Sequence, residues 1–138
     1  MKQFQIQIWI ACISGAISII LGAFSAHGLE KLVQQNIILE RHIEIFEKAV
    51  RYQMYHSLLL VILAIFNILR NHIVFFKSYY IILFGIVLFS GSLYWISLQN
   101  IFMPFPHFLF WITPLGGILM IIGWFMIIYE FQKLIKNL

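Results

Sequence analysis

The sequence predicts an all-α integral membrane protein, built as a four-helix bundle with an amphipathic extension before the second span. The composition favours this fold class, because 62% of the 138 residues are hydrophobic and only 10% are charged. A water-soluble domain carries about 25% charged residues, so this chain lacks the polar surface that such a domain needs. The mean hydropathy of +0.95 is likewise typical of a protein whose surface contacts lipid.

Three uncharged stretches indicate the spans: no Asp, Glu, Lys or Arg occurs in residues 3–29, 52–69 or 78–129. A transmembrane helix needs about 20 apolar residues, so the first two stretches hold one span each. The third is too long for one helix and contains Pro104 and Pro106 near its middle, which predicts two spans joined by a hairpin. A single domain of residues 1–138 results, with spans at about 5–26, 52–69, 78–98 and 114–131.

Basic residues lie near the predicted span ends. The side that holds both termini has five Lys and Arg (Lys2, Arg70, Lys77, Lys133 and Lys136), and the other side has four (Lys31, Arg41, Lys48 and Arg51). This small excess favours cytoplasmic termini by the positive-inside rule. Anionic headgroups attract such residues, so membrane lipids are the expected partners and nucleic acid is not.

Small residues form a stripe along the first span, at Ala11, Gly15, Ser18, Gly22 and Ala26. This spacing keeps them on one face of a helix. Small side chains let helix backbones approach closely in lipid, where the hydrophobic effect does not drive helix association. The stripe therefore predicts close packing against another span of the same chain, or a homo-oligomer through the same face.

The segment of residues 29–50, between the first two spans, mixes polar and apolar side chains. We expect an interfacial amphipathic segment there, with Asn36 as the N-cap of one long helix that continues through the second span. Glu47 and Arg51 are four residues apart in the favourable orientation, so they are predicted to pair at the interface. Whether residues 29–48 lie on the membrane or bind an unknown protein partner stays open.

Polar side chains gather in one half of the predicted bundle. With four spans, the ends of the first and third and the starts of the second and fourth lie in the leaflet opposite the termini. Polar groups at membrane depth are costly unless they are paired or face the bundle interior, so these side chains are expected to meet. The candidate ligand-binding residues are His27, Tyr52, Gln53, His56, Ser90, Ser92 and Thr113.

Two further expectations concern this bundle. Thr113, followed by Pro114 at the first helical position, is the expected N-cap of the fourth span. The half of the bundle nearer the termini is expected to be almost entirely apolar.

The chemistry of these residues favours a non-catalytic membrane module, whose polar cluster packs the bundle or binds a lipid headgroup or small solute. His27 and His56 could ligate haem or a metal, but no Asp, Glu or Cys on the same face completes a ligand set, so no cofactor is expected. Ser90 and His56 lack an acid to orient the imidazole, so no enzyme activity is expected. A small oligomeric transporter or channel is the remaining alternative, although no charged residue lies mid-membrane.

Several sequence blocks, in order along the chain, resemble one known family. They are Gly-Ala-Phe-Ser-Ala-His-Gly-Leu at 22–29; Phe46, Ala49, Tyr52, Gln53 and His56; Phe-Ser-Gly-Ser-Leu-Tyr at 89–94; Thr-Pro-Leu-Gly-Gly at 113–117; and Gly123-Trp124. Together they resemble the DUF423 family (domain of unknown function 423), in which glycine is more common at the position of Ser25. The resemblance implies a multi-pass protein of the bacterial inner membrane without an established activity, and it brings no catalytic residues.

Overall fold

The computed structural model describes residues 3–104, 106 and 110–136, which are helical or irregular and contain no strand. The helices are α1 (Gln3–Phe24), α2 (Glu30–Gln34), α3 (Glu40–Leu69), α4 (Phe76–Leu98) and α5 (Ile112–Lys136). Among the residues that the structure describes, four helical runs are long and apolar enough to cross a membrane, namely Gln5–Gln34, Glu40–Leu69, Phe76–Leu98 and Ile112–Lys136. The prediction of an all-α fold with four spans is therefore confirmed. Lys2, which contributes to the basic excess on the side of the termini, lies outside the described residues.

The helix of the first span continues beyond its predicted end near residue 26. Residues Ser25–Leu29 form one π-helical turn, and the chain then continues as α2. A Cβ on Gly28 would lie 2.5 Å from the ring of Phe24. The Phe24 ring can therefore lie beside the turn only because residue 28 has no side chain. The Phe24 ring in turn lies 6.0 Å from the ring of Phe46 on α3. The π turn is therefore part of the packing against α3 and not a helix end.

Asn36 ends α2 and does not cap α3, so its predicted role is wrong. Its φ is 57°, a left-handed conformation that asparagine adopts more readily than most residues. The N–H of Asn36 donates to the carbonyl of Val33 at 2.9 Å, and the N–H of Ile37 donates to that of Leu32 at 2.9 Å. This pair of bonds is the Schellman motif of a helix C-terminus. Asparagine is common at both kinds of helix end, which explains the error.

The central helices of the fold are α3 and α4. Helix α3 packs against both α1 and α4, and α4 also packs against α5. The main core is built around these helices and includes Leu60, Leu63, Tyr79, Ile82 and Met120. Many large apolar side chains of α1 and α5 are exposed instead, as expected for helices whose outer faces contact lipid.

The small-residue stripe of α1 packs against α3. Ala11 and Ser18 are fully buried. A Cβ on Gly15 would lie 3.8 Å from the Cβ of Ser57, and a Cβ on Gly22 would lie 3.4 Å from Val50. The prediction of close packing within the chain is confirmed for these four residues, which are already covered in the single protomer, whereas Ala26 is exposed.

Glycines also allow α4 and α5 to cross closely. A Cβ on Gly116 would lie 2.5 Å from the backbone nitrogen of Phe89, and one on Gly85 would lie 3.0 Å from the carbonyl oxygen of Gly116. Gly123 faces the side chain of Ile82 at similarly short range. Because these neighbours include backbone atoms, the two helices have no room for a side chain at the crossing.

Candidate functional site

Gln53 lies at the centre of the predicted polar cluster and joins three helices. Its side chain is only 7% exposed. The Nε2 group donates to the carbonyl of Ser14 on α1 at 2.9 Å, and the Oε1 atom accepts from the hydroxyl of Tyr94 on α4 at 2.8 Å. Beside it, the hydroxyl groups of Ser14 and Ser57 lie 2.7 Å apart. Gln53 is thus an interhelical connector, with its oxygen and its nitrogen both engaged.

His56, one turn further along α3, has both ring nitrogens in hydrogen bonds. Its Nδ1 lies 2.8 Å from the carbonyl of Tyr52, and its Nε2 lies 3.4 Å from the indole Nε1 of Trp124 on α5. A carbonyl only accepts and an indole N–H only donates, so these contacts fit the tautomer that carries its proton on Nδ1. In this arrangement His56 offers no free nitrogen to haem or a metal.

The hydroxyl groups of the cluster bond to backbone or to each other. Ser90 donates to the carbonyl of Ala49 at 3.0 Å, which joins α4 to α3. Ser92 donates to the carbonyl of Phe89 at 2.9 Å, so its oxygen accepts from the hydroxyl of Thr113 at 2.7 Å. Thr113 therefore links α5 to α4. It does not cap α5, which begins at Ile112, so the predicted cap is wrong.

The remaining predicted residues lie at the edges of this cluster or away from it. Tyr52 is 41% exposed, and its ring stacks on that of His56 at 6.2 Å with an interplanar angle of 12°. His27 lies on the π turn with its side chain exposed, and it takes no part in the hydrogen bonds of Gln53 or His56. Glu47 and Arg51 are both exposed on α3, and their pairing stays a prediction.

A second polar cluster, near the termini, contradicts the expectation that this half of the bundle is almost entirely apolar. Asn67 on α3 is fully buried, and its Nδ2 donates to Oε1 of Gln7 on α1 at 3.0 Å. Its Oδ1 accepts from the N–H groups of Val74 at 2.9 Å and Phe75 at 3.2 Å. The hydroxyl of Tyr79 donates to the carbonyl of Gln7 at 2.6 Å. Asn67 therefore holds the α3–α4 loop and α1 together.

Glu130 on α5 caps the first turn of α4. One carboxylate oxygen accepts from the N–H of Lys77 at 3.3 Å, and the other accepts from the hydroxyl of Ser78 at 2.5 Å. A carboxylate at a helix N-terminus is favoured by the helix dipole and by the free N–H groups there. The sequence contained a signal for this contact, because Glu130 is the only acid after residue 47.

A groove of about 390 Å³ opens between α1 and α4, with Gln53 of α3 at its floor. Its lining residues are Ile10, Ile13, Ser14, Ile17, Gln53, Leu83, Ile86, Val87, Ser90, Gly91 and Tyr94. Two of these side chains, Ile13 and Val87, are more than half exposed, so the groove opens sideways toward the lipid. Sequence reasoning missed it, because it depends on how far apart α1 and α4 lie.

Comparison with known proteins gives consistent matches over nearly the whole chain. A family model described as a protein of unknown function (DUF423) matches residues 21–117. A UPF0382 membrane protein of Staphylococcus epidermidis is 35% identical over 129 residues, which cover 94% of this chain and 97% of the relative. A UPF0382 membrane protein of Bacillus subtilis is 36% identical, and the match covers 94% of this chain and 98% of the relative. One of Schizosaccharomyces pombe is 33% identical, and the match covers 85% of this chain and 94% of the relative. No solved structure matches the chain.

Proposed function

The chain belongs to the DUF423 family of membrane proteins of unknown function, and we propose that it is a non-catalytic protein that holds one apolar lipid chain in the α1–α4 groove. The proposed location is the bacterial inner membrane, because relatives from Staphylococcus epidermidis and Bacillus subtilis are membrane proteins. We propose cytoplasmic termini, because Lys and Arg are in slight excess on that side of the sequence. The groove then faces the outer leaflet. The observation that carries the proposal is the change of polarity along the groove.

On α3 and α4, the polar residues of the groove lie toward its outer end. Tyr94 is about one turn before the end of α4, whereas Leu83 is about two turns after its start. Between these residues the groove extends about 16 Å along α4, roughly half of a hydrocarbon core of about 30 Å. On α3 and α4 the outer end carries Gln53, Ser90 and Tyr94 and the inner end carries Leu83 and Ile86, whereas on α1 the only polar residue of the lining, Ser14, lies between Ile13 and Ile17. A phospholipid in one leaflet has the same order, with its polar headgroup outward and its apolar acyl chain toward the centre of the bilayer.

The hydrogen bonds of the polar cluster favour a role in helix packing over a catalytic or metal-binding role. The side chains of Gln53 and His56 already bond through both of their polar ends. Within the described residues, no group of three His, Cys, Asp or Glu side chains is arranged to hold a metal. We therefore propose no catalytic or metal site and assign the cluster to the assembly of the helices that border the groove.

The protomer is the proposed binding unit. A homo-oligomer through the α1 stripe would have to displace α3, because Gly15 and Gly22 already face Ser57 and Val50 at 3.8 and 3.4 Å. An oligomer or a protein partner would use other faces, such as the exposed side of α5 or the segment of residues 29–48.

Filling the groove is expected to expel the lipid chain. Gly91 lines the groove, and a Cβ there would meet no atom within 4 Å. The phenyl side chain of Gly91→Phe can therefore occupy the groove without distorting the helices. Native mass spectrometry of detergent-extracted protein, titrated with palmitoyl-oleoyl-phosphatidylethanolamine, measures the bound fraction. We expect affinity to fall about tenfold, which corresponds to about 1.4 kcal/mol of binding free energy.

The matched control is Ile62→Phe, because Ile62 is 62% exposed on α3 and does not line the groove. It places the same phenyl ring on an exposed surface that the proposal leaves unoccupied. Equal affinities for the two variants, or a wild-type protein that binds no phosphatidylethanolamine, would contradict the proposal.

A further inference from the structure

We propose that the phosphate of an anionic phospholipid binds on the side of the termini, in a cavity between the α3–α4 loop and the end of α5. The cavity has a volume of about 370 Å³ and is bordered by His72, Lys77, Tyr129, Glu130 and Lys133. It lies in the leaflet opposite the groove and on different residues. The proposed phosphate site depends on the membrane-spanning fold, but not on whether the α1–α4 groove holds a lipid chain.

The charges around this cavity favour an anion. Lys77 and Lys133 are both exposed, and Glu130 is the only acid in the lining. The Glu130 carboxylate is directed to the first turn of α4, where it accepts from the N–H of Lys77 and the hydroxyl of Ser78. Its charge is therefore partly balanced by the positive end of the helix dipole. The two ammonium groups leave an excess of positive charge for a ligand.

A neighbouring recess extends this positive surface along α5. It has a volume of about 210 Å³ and is lined by Tyr129, Gln132, Lys133 and Lys136. Because both spaces share Tyr129 and Lys133, they form one continuous surface with three lysines. Its Tyr129 is a residue type that is enriched at membrane interfaces.

The other wall of the cavity indicates a lipid as the source of the phosphate. It consists of Ile73, Val74, Phe76 and Leu134, which lie where α4 begins and α5 approaches its end. A phospholipid can place its phosphate on the lysines and its glycerol and upper chains on these apolar side chains. Inorganic phosphate would contact only the lysines. Basic pockets between helices on the cytoplasmic side are known to bind anionic headgroups.

The test is a native mass spectrometry titration of the full chain in detergent with palmitoyl-oleoyl-phosphatidylglycerol. The variant Lys77→Gln/Lys133→Gln removes two charges but keeps the backbone N–H of residue 77 that Glu130 needs. We expect its affinity for phosphatidylglycerol to fall about thirtyfold, from the usual contribution of each lysine to anionic lipid binding. Raising the salt concentration should also weaken binding by the wild type, because exposed charges are screened.

The matched control is Lys31→Gln/Lys48→Gln, which removes the same charge from exposed lysines on the opposite side and should change the affinity less than threefold. Equal losses in both double variants would mean that only net charge matters, and would overturn the site. Displacement of phosphatidylglycerol by an equal concentration of inorganic phosphate would overturn the lipid as the source. Because the groove is tested with a zwitterionic lipid, either proposal can fail without the other.

Discussion

Gly116→Ala is expected to destabilise the protein strongly, whereas Gly117→Ala should leave its stability close to that of the wild type. The added Cβ at residue 116 would lie 2.5 Å from the backbone nitrogen of Phe89 and 2.9 Å from its Cα. Backbone atoms cannot rotate away as a flexible side chain can, so α5 must move away from α4. Overpacking of this kind costs about 1–3 kcal/mol, and we expect the upper part of that range.

Gly117 is a close control, because it is the next residue on the same helix and has the same intrinsic helix propensity change. A Cβ there would lie 3.7 Å from the Phe89 ring, an ordinary van der Waals contact. Alanine favours a helix over glycine by about 1 kcal/mol, so Gly117→Ala could even be slightly stabilising. Thermal unfolding in detergent measures both variants, and equal melting temperatures would contradict the close crossing of α4 and α5.

The four spans could be predicted because they depend on local properties of the sequence. Long uncharged stretches and the proline pair give the number of helices without knowledge of their contacts. Helix ends were less predictable. Asparagine is common both as an N-cap and as a left-handed residue at a helix C-terminus. The second role applies to Asn36, because the carbonyls of Val33 and Leu32 accept from the N–H groups of Asn36 and Ile37.

The polar cluster around Gln53 could be predicted in part, because topology alone brings the ends of four spans into one leaflet. The hydrogen-bond partners of Gln53 and His56 could not be predicted. The carbonyl of Ser14, the hydroxyl of Tyr94 and the indole of Trp124 reach Gln53 or His56 only for one rotation of each helix about its axis. Sequence periodicity specifies which residues share a face, but not which neighbouring helix that face meets.

The cluster near the termini was missed for a related reason. Gln7 and Asn67 are separated by 60 residues. Each lies at the edge of an apolar stretch, and Gln7 is the last of three glutamines at 3, 5 and 7. Such residues commonly lie in the headgroup region, where they need no protein partner. Their burial depends on the short α3–α4 loop, which Asn67 itself holds closed through two backbone N–H groups.

Asn67→Leu is therefore expected to cost more stability than Gln53→Leu, although the sequence pointed to Gln53. Leucine has a similar size, but it leaves the N–H groups of Val74 and Phe75 without their acceptor and the amide of Gln7 without its donor. A buried polar group without a partner costs about 1–3 kcal/mol, so we expect a total loss of about 2–4 kcal/mol.

Gln53→Leu removes two side-chain hydrogen bonds of the kind that average about 0.6 kcal/mol each in membrane bundles. Its partner on α1 is a carbonyl within a helix, and the Tyr94 hydroxyl lies near the groove, where another acceptor can reach it. We expect a loss of about 1 kcal/mol. Unfolding of both variants in mixed detergent micelles compares them directly. If Gln53→Leu proved the more destabilising, the outer cluster would contribute more to the assembly of the helices than the cluster near the termini, and the role assigned to Asn67 would be wrong.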